Sequence, residues 1–123
     1  MKQPCNKEDL EQTFLFRWAR FESGKYPELD LMYHIPNERK CSAAAGGRLK
    51  AQGVKSGVPD ICFPTPRGKY HGMYIELKRE KGSKTSDNQK AWIEALTKQG
   101  YYVVICKGWE KAMEQIVYYL NLK

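Results

Sequence analysis

Long apolar runs are missing from this sequence. No stretch approaches the ~18 residues needed to span a bilayer, and the opening Met1 to Asp9 is polar where a secretory leader is apolar. The expected location is therefore the cytoplasm, or the nucleoplasm of a host that has a nucleus. Cysteine is sparse as well. Cys5, Cys41, Cys62 and Cys106 are irregularly spaced, and no pair has the Cys-x-x-Cys spacing of a zinc or redox motif. An even count leaves two disulfides open for a secreted protein, but reduced, mostly buried thiols are the expectation. Histidine is scarcer still: His34 and His71 are neither paired nor near a cysteine at ligand spacing, and His34 reads as part of an Ile-Pro-Asn turn. Repeats, low-complexity tracts and long linkers are also lacking.

What is present describes one globular domain over residues 1–123, with 41% apolar residues and a net charge of +7. The charge is uneven. Between Arg39 and Lys90 lie twelve Lys/Arg and four Asp/Glu, against nine and ten in the remainder. A concentrated positive segment favours polyanions such as nucleic acid; a soluble basic surface without a partner is the alternative.

The periodicities predict helix, short strand, helix, strand, strand, helix, strand, helix. The first helix spans about Glu8 to Glu22, with Asn6 as N-cap and an apolar stripe of Leu10, Phe14, Leu15, Trp18 and Phe21. Leu31 to Ile35 reads as a short strand and Ser42 to Gln52 as a second helix. Asp60 to Phe63 and Met73 to Lys78 form a hairpin around a loop rich in proline and glycine. Asp87 to Gln99 is helical, with Trp92, Ile93 and Leu96 inward. Tyr101 to Cys106, an unbroken apolar run, predicts a strand buried on both faces. Trp109, Ala112, Met113, Ile116, Val117 and Leu120 set the last helix. The fold class is α/β, with helices packed on a central mixed sheet.

Chemistry concentrates in Gly57-Val58-Pro59-Asp60 and Tyr74-Ile75-Glu76-Leu77-Lys78. Strand residues i and i+2 share a face, so Glu76 and Lys78 project together, and a hairpin can bring Asp60 beside Glu76. Two adjacent carboxylates repel unless a cation lies between them. Magnesium accepts such hard oxygen ligands, with the Leu77 carbonyl as a third. A metal there would polarise a phosphate and acidify a bound water, and Lys78 would offset charge developing on the phosphate. Glu-x-Lys alone also fits a solvated cross-strand ion pair, and Gly-Val-Pro an ordinary turn.

Pro59-Asp60 and Glu76-x-Lys78 resemble the PD-(D/E)xK nuclease pattern. His34-Ile35-Pro36-Asn37, Gly53 to Asp60, Glu76-Leu77-Lys78-Arg79, Gln89-Lys90-Ala91-Trp92 and Gly100-Tyr101 together resemble the VRR-NUC family, whose small stand-alone members occur largely in phages and bacteria. That resemblance covers about Glu8 to Leu120. It implies a restriction-endonuclease-like core and a metal-dependent endonuclease acting on branched DNA. Holliday-junction resolution by a homodimer, in recombination or repair, is the leading activity. A flap or nicking endonuclease and a non-catalytic DNA-binding module are the alternatives. By resemblance Asp60 and Glu76 bind Mg2+ or Mn2+, Lys78 is the catalytic lysine, and Gln89 and a first-helix glutamate complete the site. Glu11 is preferred over Glu8 for that glutamate, because it lies at helical spacing from Phe14, Leu15 and Trp18. DNA-contact candidates are Arg79, Lys81 and Lys84, then Lys55, Arg48, Arg39 and Lys40, with Lys50 and Arg67 in the same basic segment. Among the aromatics, Tyr70 and Tyr74 are expected to be free to touch DNA.

Overall fold

The structure, a computed structural model, describes residues 7–36 and 43–123, with the backbone alone at Lys7, Glu8 and Ala43. Cys5, Asn6, Asn37, Arg39, Lys40, Cys41 and Ser42 lie outside the described residues.

The predicted order of elements holds. Helix α1 spans Lys7–Glu22 and a short 3-10 helix Pro27–Leu31. Strand β1 is only Tyr33–His34, shorter than the expected Leu31 to Ile35. Helix α2 (Ala43–Ala51), strands β2 (Ile61–Phe63) and β3 (Met73–Lys78), helix α3 (Asp87–Lys98), strand β4 (Tyr102–Lys107) and helix α4 (Trp109–Leu120) follow. The sheet order is β1-β2-β3-β4. β1, β2 and β3 pair antiparallel, whereas β4 pairs parallel to β3. A parallel neighbour needs a crossover, and α3 supplies it. No helix among the described residues is long and apolar enough to cross a membrane.

The alternation of β3 gives the sheet two unlike faces. Met73, Ile75 and Leu77 join Ile61 and Phe63 in the apolar core, covered by Leu15 and Ala19 of α1 and by Ala112, Ile116, Tyr119 and Leu120 of α4. Tyr119 closes this layer: its hydroxyl donates to the Thr65 carbonyl at 2.6 Å and its ring stacks on Tyr102 at 5.6 Å. Tyr74, Glu76 and Lys78 project to the opposite face, where α3 packs.

Two expectations about burial fail. The α1 stripe is rotated: Leu15 is buried and Trp18 packs on the core, but Leu10, Phe14 and Phe21 are exposed, Phe21 at 86%. The inward face runs through Leu15 and Ala19, four residues apart, so a small side chain takes the place the larger ones were expected to fill. Phe14 instead leans on Trp109, at 6.4 Å between ring centres. β4 is likewise an edge strand and not buried on both faces. Cys106 is buried against α4, whereas Ile105 is 43% exposed. An apolar run of this length does not by itself distinguish a central strand from an edge. Cys62 and Cys106 are free thiols, and burial pushes the Cys106 thiol up to about 11, which keeps it protonated and inert.

The rotated stripe has a measurable consequence. Leu15→Ala is expected to lower unfolding stability by about 2–5 kcal/mol, and Phe21→Ala to change it by less than ~0.5 kcal/mol. Urea unfolding midpoints of the two variants check this; a larger loss at Phe21 would restore the original stripe.

Candidate active site

The turn before β2 is built against α3. Gly57 has φ +91, and a Cβ there would fall 2.7 Å from the backbone of Asn88, so only glycine allows the turn to lie this close. Asn88 Nδ2 donates to Ser56 Oγ at 3.3 Å across the same contact. The next residues, Val58 and the fully buried Pro59, deliver Asp60 to the start of β2. Its carbonyl accepts from the Ile35 N–H at 2.6 Å and pairs with His34 Nδ1 at 3.0 Å. Its carboxylate Oδ2 accepts from the Leu77 N–H at 2.9 Å. Asp60 is thus held from β1 on one side and from β3 on the other.

Ile61 is in register with Ile75, which sets Asp60 opposite Glu76. Glu76 is 1% exposed and Lys78 4%. The solvated cross-strand pair is therefore the wrong description of Glu76 and Lys78. Lys78 Nζ donates to Gln89 Oε1 at 2.9 Å and to the Lys84 carbonyl at 3.2 Å, and lies 3.3 Å from Glu76 Oε2. Gln89 Nε2 donates to the same Glu76 oxygen at 2.8 Å. The other oxygen, Oε1, is buried with no hydrogen-bond partner. Burial above all, and then the negative charge of Asp60, raise the Glu76 carboxyl to about 7, against the opposing pull of Lys78.

Gln89 is placed by the start of its own helix. Ser86 caps α3: its Oγ accepts from the Gln89 N–H at 3.1 Å, while Gln89 Oε1 accepts from the Ser86 N–H at 2.9 Å. This is a capping box. It also fixes the amide so that its oxygen meets Lys78 and its nitrogen meets Glu76. Ser86 was not singled out from the sequence, although Ser86-Asp87-Asn88-Gln89 carries the capping-box signature. The contact of His34 with Asp60 was missed too, and no local pattern signals it.

The structure thus brings Asp60, Glu76, Lys78 and Gln89 together. Glu11 arrives at their edge. Its Oε1 accepts from the Trp109 N–H at 2.8 Å, capping α4. The preceding residue, Gly108, donates to the Lys78 carbonyl at 2.8 Å, so Glu11 is anchored at the end of β3 that carries Lys78. The Glu8 side chain lies outside the described residues. Arg48, Lys50, Lys55, Arg79, Lys81 and Lys84 are all exposed. Arg67 is not a free DNA contact: it pairs with Glu28 and donates to the Leu120 carbonyl at 3.3 Å. Tyr70 is not free either, because its ring packs on Tyr102 at 5.1 Å and on Tyr119 at 6.3 Å.

Comparison with known proteins identifies the family. The family model of the VRR-NUC domain matches residues 5–110. The chain belongs to the VRR-NUC domain family. A solved structure named as a VRR_NUC domain protein superposes with a TM-score of 0.82 at 33% sequence identity, over 98% of this chain and 93% of that one. No curated protein matches. The α/β fold, with helices flanking a mixed four-stranded sheet, is therefore that of a VRR-NUC nuclease.

The position of the Glu76 carboxyl predicts how stability varies with pH. Between its ordinary value of 4.5 and about 7, the folded protein keeps a proton that the unfolded chain has lost. The Glu76 contribution to stability therefore falls as pH rises across that window and is flat above it. In chelator, Glu76→Gln is expected to remove that fall and to stabilise the protein at pH 8 relative to the unmodified chain. Denaturant titrations at pH 5 and pH 8 check the difference, and parallel pH profiles for the two proteins would contradict it.

Proposed function

We propose that this VRR-NUC nuclease is a metal-dependent endonuclease that hydrolyses phosphodiester bonds in branched DNA, with Holliday-junction resolution as its principal activity. The observation that carries the metal dependence is the unpartnered Glu76 Oε1, buried beside the Asp60 carboxylate. A buried anionic oxygen without a donor is costly, and a cation between the two carboxylates relieves it. Among the described residues no group of three or more His, Cys, Asp and Glu is placed to hold a metal. Two carboxylates and a carbonyl suit Mg2+ or Mn2+, hard ions of which magnesium commonly binds through one or two carboxylates and keeps several waters. The ligands would be Asp60, Glu76 and the Leu77 carbonyl. In a strand, a residue's N–H and C=O point to the same side, and the Leu77 N–H already meets Asp60. The bound ion would supply Lewis acidity to a phosphate oxygen and to the attacking water.

The chain's own groups then have distinct tasks. Lys78, held by Gln89 and the Lys84 carbonyl, presents a fixed positive charge to the phosphate as negative charge grows on it. Gln89 keeps Glu76 and Lys78 in register. Glu11 is the first-helix acid of the set, stationed at the end of β3. Arg79, Lys81, Lys84, Lys55 and Arg48, with Arg39 and Lys40, would bind backbone phosphates without reading sequence. Symmetric resolution of a junction takes two cuts, which a two-fold homodimer provides. The flap or nicking endonuclease is the second reading, favoured by the single site in each chain. A purely DNA-binding module is disfavoured by the complete catalytic set.

Cleavage of labelled four-way junction, flap and linear DNA, with Mg2+, Mn2+ or chelator, tests this. Cutting is expected with either metal, preferentially on the junction, and none in chelator. Asp60→Asn and Lys78→Ala are each expected to reduce cutting at least ~100-fold while retaining junction binding in a gel-shift assay. Binding without cutting of any DNA would sink the enzyme reading, and wild-type rates from both variants would sink the site.

A further inference from the structure

The catalytic face of the sheet also carries a group of tyrosines that the core does not need. Along β3, Tyr74 is two residues before Glu76 and therefore on the same face. Across the sheet, Tyr74 is in register with Cys62, and Cys62 with Tyr33, so both phenols flank the Cys62 thiol. Tyr101 belongs to the adjacent row. Its ring lies over Gly72, where a Cβ would stand 3.5 Å from Tyr101 Cδ1; any larger side chain at Gly72 would take the space the ring occupies. The Tyr101 ring meets Tyr74 edge-on at 5.3 Å, and His71 meets Tyr101 edge-on at 5.9 Å. Tyr33 is 51% exposed, His71 is exposed, and Tyr74 and Tyr101 are half-buried. The apolar core is on the other side of the sheet, so these rings form a surface. Along this face of β3, Tyr74, with Tyr101 beside it, is followed by the buried Glu76 and Lys78.

We propose that Tyr33, Tyr74 and Tyr101 form a ledge on which unpaired nucleobases stack, next to the phosphate held at Glu76 and Lys78. This rests on the nuclease reading above and deepens it: at a branch point, the site would engage nucleotides left unpaired beside the cut. Spacing favours unpaired bases over a duplex. The Tyr74 and Tyr101 ring centres are 5.3 Å apart, and Tyr33 and Tyr74 stand in one row two strands apart, about 9.6 Å at their backbones, whereas nucleotides in a duplex strand advance by about 3.4 Å. Rings at the wider spacing suit splayed bases, and a duplex keeps its base faces covered. Aromatic stacking tolerates any base, which fits a site with phosphate contacts and no evident sequence readout. The edge-on contacts among Tyr74, Tyr101 and His71 hold the rings in place, which lowers the entropic cost of stacking a base on them.

The test uses the full chain and a flap oligonucleotide carrying 2-aminopurine at the unpaired nucleotide nearest the branch. Binding is read in Ca2+, and cutting separately in Mg2+ and Mn2+. Binding is expected to quench the 2-aminopurine fluorescence. Tyr33→Ala and Tyr74→Ala are each expected to weaken flap affinity about 5- to 100-fold, while affinity for fully paired duplex stays as in wild type; the urea midpoint is expected to hold for Tyr33→Ala and to fall for Tyr74→Ala, which loses its packing on Tyr101. Tyr33→Phe and Tyr74→Phe, which keep the ring, are expected to retain both quenching and flap affinity. No quenching, wild-type flap affinity in both alanine variants, or equal losses in the phenylalanine and alanine variants would each overturn the ledge. The two readings fail separately. A protein that quenches with ring dependence but cuts no DNA keeps the ledge and loses the nuclease activity. One that cuts but is indifferent to the rings keeps the activity and loses the ledge.

Discussion

The amide of Gln89 connects the buried Glu76 and Lys78 side chains to the Ser86 backbone at the start of α3. Its oxygen accepts hydrogen bonds from the Lys78 ammonium and the Ser86 N–H, and its nitrogen donates to the Glu76 carboxylate. A buried ion pair is stable only when its remaining hydrogen-bonding capacity is met. Here part of that capacity, at Lys78 Nζ and Glu76 Oε2, is met by the first turn of a helix, which needs a side chain at the same position to satisfy its own unpaired N–H groups, while Glu76 Oε1 is left without a partner. One residue thus starts α3 and completes the polar cluster on β3. The position of the helix on the sheet and the geometry of the candidate site are therefore a single arrangement, not two that must be adjusted to each other.

The other constraints follow from that one. α3 has to cross the sheet from the end of β3 to the start of β4, and its first turn has to stand over Glu76. The close packing of Gly57 on Asn88 then sets where the preceding turn lies, and hence where Asp60 emerges. β1, two residues long, contributes little burial but holds the Asp60 carbonyl. From the far side, Glu11 caps α4 as Gly108 ties the same junction to the end of β3. Elements from both ends of the chain thus converge on four or five polar side chains, while the apolar core on the opposite face supplies the stability that burying them consumes.

Much of this was legible in the sequence because the signals were periodic. The alternation from Met73 to Lys78 separated the core face from the chemical face. Gly and Pro marked the loops, and the order of elements followed. The candidate site residues were legible as a pattern, but their burial was not. Glu-x-Lys looks the same on a wet strand as on a dry one, and it took α3 to make the difference. The register Ile61 to Ile75 was also hidden, because the long loop between β2 and β3 does not fix it. Errors came where hydrophobicity was read without a third dimension. Phe14 and Phe21 outweigh Ala19 on any apolar scale, yet Ala19 is the residue that fits under the sheet. The run from Tyr101 to Cys106 gave no sign that, among the described residues, no strand pairs beyond it. Tyr33, Tyr74 and Tyr101 lie in three separate segments, and only the strand order puts them on one surface.

The bond from Glu11 to the Trp109 backbone joins residues 98 positions apart. During synthesis, Asp60, Glu76, Lys78 and Gln89 leave the ribosome well before α4 does. Until β4 has added its edge to β3 and α4 has docked on α1, the β3 strand is open on one side, and neither Glu76 nor Lys78 can be fully withdrawn from water. The polar cluster acquires its final electrostatics only when nearly the whole chain has been made, so a prematurely terminated product would hold the right residues without their environment.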